Sequence, residues 1–165
     1  MNAEVGSIEW TTDLETGISL LDEQHHRYID LLNNYFKKVS EHSEADEKIN
    51  QLTDSFDYLR QYAREHFATE ESIMRELEYP DYLSHLKEHQ HYVLHVGKLY
   101  MQMKTKGFSS QLSREVNFYT VEWFIEHILQ ADMKLVEFLN AKNQSTIDQM
   151  MPISTDYFEP QPVAL

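Results

Sequence analysis

Nine histidines and no cysteine stand among the 165 residues, so borderline metal chemistry in this chain has to come from imidazole and not from thiolate. The missing cysteine removes disulfides, iron–sulfur clusters, thiolate zinc sites and cysteine nucleophiles together. Spacing then sorts the histidines. His66 and Glu70 are four apart, and so are His85 and His89. On a helix each pair shares one face a turn apart, which is how a bundle offers two ligands to one metal ion. His127 and Asp132 are five apart and would diverge by about 140° on a regular helix.

Whether these groups converge depends on the elements that carry them. The chain has 41% hydrophobic residues and 12% aromatics, enough for a single core. It has only four glycines and four prolines, and Pro152, Pro160 and Pro162 all lie in the C-terminal stretch, so the body is nearly free of helix breakers. Apolar residues recur at helical spacing in four stretches, residues 20–40, 46–77, 81–104 and 109–142. Pro80 closes the second and opens the third, while Gly107 and the Ser109-Ser110 pair supply a stop and a cap before the fourth. Short connections between long helices predict an all-α fold, an antiparallel up-down-up-down four-helix bundle over residues 20–142. Residues 1–19 form an N-terminal arm anchored by Trp10 and Ile18, and residues 143–165 form a C-terminal tail.

Each histidine can be placed against the apolar stripe of its own helix. His25 falls among Leu21, Tyr28, Ile29, Leu32, Phe36 and Val39, whereas His26 points about 100° away. His66 and Glu70 fall within the stripe of Leu52, Phe56, Leu59, Ala63, Ile73, Met74 and Leu77. On the third helix His85 and His89 join Tyr82, Leu86, Val93, Val96 and Tyr100, leaving His91 and His95 outside. The fourth helix carries two stripes offset by about one residue: Leu112, Val116, Tyr119, Trp123 and His127, then Ala131, Leu135, Phe138 and Leu139. One π-type turn near residues 127–132 would realign them and bring both His127 and Asp132 inward.

The inward set is therefore His25, His66, Glu70, His85, His89, His127 and Asp132. One buried histidine is ordinarily a hydrogen-bonded core residue; five with two carboxylates cannot share a core without a counterion. The count suits two metal ions bridged by the carboxylates. The remaining histidines His26, His42, His91 and His95 read as solvated surface residues.

The segments Leu21-Asp22-Glu23-Gln24-His25, His66-Phe67-Ala68-Thr69-Glu70-Glu71, Tyr79-Pro80 with His85-x-x-x-His89, and Trp123-x-x-x-His127-x-x-x-x-Asp132 together resemble the hemerythrin family, most closely its single-domain bacterial branch. The resemblance runs from Trp10 through the fourth helix. It implies two non-haem irons per chain, oxo- or hydroxo-bridged, with His85, His89 and His127 on one, His25 and His66 on the other, and Glu70 and Asp132 bridging. Dioxygen would be the ligand of an open position on the second iron, for oxygen storage, transport or delivery and not for enzymatic turnover. The donor types agree: a diferrous pair with two carboxylates and one hydroxide keeps a single positive charge, and neutral imidazoles hold iron reduced more readily than further carboxylates would. Ile29, Leu32, Leu59, Tyr62 and Trp123 are candidates for the apolar walls that reversible binding requires.

Two competing readings remain. A di-iron oxidase or peroxidase would use Glu23-x-x-His26 and Glu88-x-x-His91, which match the Glu-x-x-His spacing of ferritin-like bundles but sit off the apolar stripes. An oxygen or redox sensor would signal to a protein partner through the tail, where Met150-Met151 and Tyr157-Phe158 could dock on a partner or fold back on the bundle. With 28 acidic against 14 basic residues the formal charge is −14, which argues against nucleic acid as a partner. No apolar run long enough to insert in a membrane and no basic, apolar leader is visible, so the expected location is cytoplasmic.

Overall fold

In a computed structural model, residues 8–40, 46–107 and 109–142 are described. Four helices run up and down in sequence. They are α1 (Ser19–Ser40), α2 (Asp46–Glu76), α3 (Tyr82–Lys106) and α4, which spans residues 110–142 and contains two π turns. Helices α1 and α2, α2 and α3, and α3 and α4 pack side by side, and Tyr28 and His25 of α1 meet Phe124 of α4, which closes the bundle. Among the described residues no helix is long and apolar enough to cross a membrane.

Local chemistry sets the ends of these helices. At the end of α2 the Tyr79 N–H bonds back to the Met74 carbonyl at 2.8 Å, and Glu78 takes a left-handed φ of 54°, the geometry in which a helix usually ends on glycine. Gly107 ends α3 at φ 76° with its N–H on the Met103 carbonyl. Ser109 caps α4, its hydroxyl accepting from the Leu112 N–H at 3.1 Å. The N-terminal arm is tied to α1 by Asp22, whose carboxylate accepts from the Thr16 N–H and hydroxyl at 2.7 Å and from the Gly17 N–H at 3.1 Å. Ile18 is buried, and Trp10 is half-buried with its ring stacked on His26 at 3.7 Å. Both expected anchors therefore touch the bundle.

The interior has three layers along the bundle axis. A large apolar cluster includes Tyr28, Leu32, Phe56, Leu59, Phe67, Tyr92, Val96 and Phe124. A smaller one at the opposite end joins Ile18, Leu21, Ile73, Met74, Tyr79, Leu135, Val136 and Leu139. Between them, on every helix, lie the polar residues. On α1, for example, Leu21 belongs to the small cluster, Tyr28 to the large one, and His25 stands between.

The structure corrects two stripes. On α3 the buried line is His85, His89, Tyr92, Val96, Leu99 and Met103, while Tyr82, Leu86, Val93 and Tyr100 are half-buried flank. The histidines themselves occupy the centre line, so a stripe drawn through apolar residues alone lands to one side. On α4 the expected π turn is present at Ile128–Asp132, and a second one, not anticipated, lies at Phe118–Glu122. The buried residues Leu112, Val116, Thr120, Phe124 and Ile128 recur every fourth position. Steps of four overshoot a regular helix by about 40° each, and the wider turn absorbs the overshoot. Tyr119 and Trp123 consequently sit at the half-buried edge.

Candidate metal centre

All seven inward residues are buried, none more than 3% exposed, and they converge in the polar layer. The π turn at Ile128–Asp132 lets His127 and Asp132 of α4 face inward together, although they are five residues apart. Their ligand-capable atoms form two groups that share one carboxylate: Glu70, His85, His89 and His127, and His25, His66, Glu70 and Asp132.

The carboxylate oxygens divide between these groups. Oε2 of Glu70 lies 3.0 Å from Nε2 of His89 and 3.5 Å from that of His85, while its Oε1 is 3.4 Å from Nε2 of His66. Oδ1 of Asp132 lies 3.2 Å from Nε2 of His127 and 3.3 Å from that of His85, while its Oδ2 is 3.4 Å from Nε2 of His25. Imidazole nitrogens meet each other equally closely: His25 to His66 at 3.2 Å, and His127 to both His85 and His89 at 3.1 Å. Two ligand atoms at about 2.1 Å from one ion and at right angles to each other are about 3 Å apart, so the spacing suits donors around a common centre.

Satisfaction of polar atoms points the same way. All four oxygens of Glu70 and Asp132 are buried without a hydrogen-bond donor among the described residues, despite the nearby nitrogens. Buried carboxylate oxygens are very rarely left so, and a cation would satisfy them. Three of the other ring nitrogens find acceptors outside the centre, while Nδ1 of His25 and of His85 are buried without a partner among the described residues. Nδ1 of His66 donates to Oε1 of Gln24 at 3.1 Å, Nδ1 of His89 to Oε1 of Glu71 at 3.0 Å, and Nδ1 of His127 to Oε2 of Glu88 at 3.0 Å. An oxygen of this kind can only accept, so Nδ1 carries a proton and Nε2 is the nitrogen turned to the centre.

The electrostatics are those of a cation site balanced by protons. Burial and the Asp132 charge push Glu70 upward, but His66, His85 and His89 outweigh them and hold it below the usual carboxylate range. Burial likewise raises Asp132, and His127, His25 and His85 pull it well below. Burial disfavours the charged form of His127, yet Asp132, Glu88 and Glu70 raise it to about 10. Burial opposes the charge on His85 too, but Asp132 and Glu70 raise it to about 9. His66, where burial prevails over Glu70, is pushed down to about 4. Two imidazolium charges thus stand against two carboxylates where metal ions would stand.

Aromatic rings wall the centre. Phe67 stacks on His89 at 4.0 Å and Trp123 on His127 at 4.6 Å. Phe124 meets His25 and His66 edge-on at 5.8 and 6.0 Å, and Tyr28 lies behind it at 4.0 Å. Of the walls named from sequence, Trp123 touches a histidine of the centre; Ile29, Leu32, Leu59 and Tyr62 are buried in the large apolar cluster. Sequence reasoning missed Phe124, Phe67 and the three outer partners Gln24, Glu71 and Glu88. Each of the last sits one residue from, or one turn from, a predicted ligand, a spacing that is visible only once the ligand set is known.

Glu23, His26 and His91 are exposed, so the alternative ligand pairs do not enter the buried centre; Glu88 reaches it only from outside, through His127. His95 is half-buried and stacks on Tyr119 at 4.6 Å. His42 and the tail residues Met150, Met151, Tyr157 and Phe158 lie outside the described residues.

A four-helix bundle with a buried two-part histidine–carboxylate cluster defines the class: a metal-binding up-and-down bundle. Within that class, residues 16–139 match the hemerythrin HHE cation binding domain, and the chain belongs to the hemerythrin family. It is 26% identical over 134 residues to a bacteriohemerythrin of Stenotrophomonas maltophilia, covering 80% of this chain and 81% of that one. A bacteriohemerythrin of Clostridium acetobutylicum is 23% identical over 128 residues, covering 78% of this chain and 98% of that one. A hemerythrin of Sipunculus nudus is 24% identical over 130 residues, covering 79% and 92%.

Proposed function

We propose that this protein binds two non-haem iron ions per chain and, at one of them, dioxygen reversibly, as an oxygen store or carrier and not as an enzyme. The observation that carries the reading is the division of carboxylate oxygens. With Glu70 and Asp132 each turning one oxygen to either side, three histidines and two oxygens surround one position, and two histidines and two oxygens the other. His85, His89 and His127 would hold one ion with one oxygen of each carboxylate, and His25 and His66 would hold the other with the remaining two. His25 and His66 would thus leave their ion the less fully supplied, the side for dioxygen, and the irons would supply the electrons that dioxygen takes up and gives back.

The chain's own contribution is positioning and exclusion. Gln24, Glu71 and Glu88 hold the Nδ1–H groups of His66, His89 and His127 outward, so that Nε2 is the nitrogen turned to the centre. Phe124, backed by Tyr28, keeps the open side apolar, which deprives the site of the acids and water that turn reversible binding into oxidation.

Anaerobic loading with ferrous iron, iron analysis and absorption spectra through repeated exposure to and removal of dioxygen test the reading. Two irons per chain and spectra that return to their starting form are expected. Irreversible conversion to the ferric state, with turnover of a reductant or release of hydrogen peroxide, would instead establish the oxidase or peroxidase reading.

A further inference from the structure

The hydrogen bonds outside the two histidine groups differ in charge. His89 and His127 each donate from Nδ1 to a carboxylate, Glu71 and Glu88, at 3.0 Å. His66 of the other group donates instead to a neutral amide, Gln24, at 3.1 Å; one histidine on each side, His25 and His85, has its Nδ1 buried without a partner among the described residues. The amide is held the right way round. The Thr69 hydroxyl donates to the Glu65 carbonyl at 3.1 Å and so must accept from Nε2 of Gln24, also at 3.1 Å, which leaves Oε1 for His66. Nothing in the size of the site requires this difference, because glutamine and glutamate have the same shape.

The geometry points to Glu71 and Glu88 as positioning residues that make the three-histidine side the more electron-rich of the two, with Gln24 keeping the dioxygen side neutral. The physical reason is that a carboxylate on the far side of an imidazole draws the Nδ1 proton outward. The ring then gains imidazolate character, Nε2 becomes the stronger donor, and the higher oxidation state of the ion it holds is favoured. An amide acceptor orients a ring equally well and adds no charge. Both carboxylates also reach solvent, with side chains 27% and 49% exposed, whereas every residue inside the centre is buried. The extra charge is thereby stabilised by water on its outer side and costs little to keep. The arrangement gives the two ions unequal electron demand before any ligand arrives, and the side with the open position is the one less inclined to the ferric state.

This inference rests on the two-iron reading above. Glu71→Gln, Glu88→Gln and Gln24→Glu, each nearly isosteric, separate charge from hydrogen bonding, and they are compared with the unsubstituted chain by iron analysis and potentiometric titration. Glu71→Gln and Glu88→Gln are expected to raise the midpoint potential and to weaken iron retention on the His85, His89 and His127 side by about 10- to 100-fold, and Gln24→Glu to lower the potential. In the metal-free protein, 1H–15N spectra should show the Nδ1–H resonances of His89 and His127 moving upfield in the glutamine variants while the His66 resonance stays in place. Three variants that all hold two irons at unchanged potential would overturn the charge argument and leave the two-iron reading standing. An unsubstituted chain that takes up fewer than two irons would overturn that reading itself.

Discussion

His127 shows how many demands one side chain meets: Nε2 faces Asp132, Nδ1 donates to Glu88, and the ring stacks on Trp123. Such a residue is legible because a histidine in an apolar helical stripe breaks a pattern. Its partner Glu88 is not, since an exposed glutamate on a helix is the ordinary case. Predictions at this scale separate inside from outside. His25→Ala should reduce iron to one ion per chain and Glu70→Ala should abolish the pair, whereas His91→Ala should leave both in place, as iron analysis of the purified variants would show. The buried hydroxyls of Tyr28 and Tyr92 bond to each other, and burial raises both well above the usual phenol range. Tyr28→Phe should therefore cost about 1–3 kcal/mol in denaturant unfolding by stranding the Tyr92 hydroxyl, and the double Tyr28→Phe/Tyr92→Phe variant should recover most of the loss.

At the scale of the element, four helices were readable from period and punctuation, and Pro80, Gly107 and Ser109 lie in the breaks between α2, α3 and α4. The π turn at Ile128–Asp132 was readable because it separates two functional residues whose stripes disagree. The turn at Phe118–Glu122 was not: its buried residue is Thr120, a polar side chain that bonds the Val116 carbonyl at 2.7 Å and leaves no apolar mark in the sequence. The end of α2 holds a removable strain. Glu78 at φ 54° occupies a conformation that costs a side-chain-bearing residue about 1 kcal/mol or more. Glu78→Gly should raise the melting temperature by about 2–4 °C in calorimetry, with helix content unchanged. In the opposite sense, Ser109→Ala removes the α4 cap and should cost about 1 kcal/mol.

For the whole molecule, the centre links folding to pH and to metal. In the metal-free protein His85 and His127 are raised above the ordinary 6.5, to about 9 and 10. Groups raised in the folded state stabilise it fully below pH 6.5, and that contribution fades as pH rises through about 9 to 10. His66, depressed to about 4, acts in the other direction: it protonates first in the unfolded chain, so stability falls as pH drops from 6.5 towards 4. The lowered Glu70 and Asp132 add a further loss below their ordinary values of 4.5 and 3.8. Metal-free protein should thus melt highest near pH 6.5 and lose stability steadily from there towards pH 9 to 10, as calorimetry across pH would show. Metal would displace one proton each from His85 and His127, and a bridging hydroxide drawn from water would free another, so loading at neutral pH should release about three protons per chain, measurable by titration in buffers of different ionisation enthalpy. Loaded protein should then lose the alkaline decline.

The sequence by itself determined the bundle and which seven polar residues turn into it. Both follow from periodicity: a helix repeats about every 3.6 residues, so its apolar stripe marks the inside, and a charged or basic residue within that stripe is marked as functional by its cost. The family resemblance and the convergence of His25, His66, Glu70, His85, His89, His127 and Asp132 agree for this reason. Only the tertiary structure decided which oxygen of Glu70 and of Asp132 faces which histidines, which rings wall the centre, and that one side is supported by carboxylates and the other by an amide. Those are relations between helices distant in sequence, such as Gln24 with His66 or Glu88 with His127, and no spacing along one helix encodes how its neighbour is rotated against it.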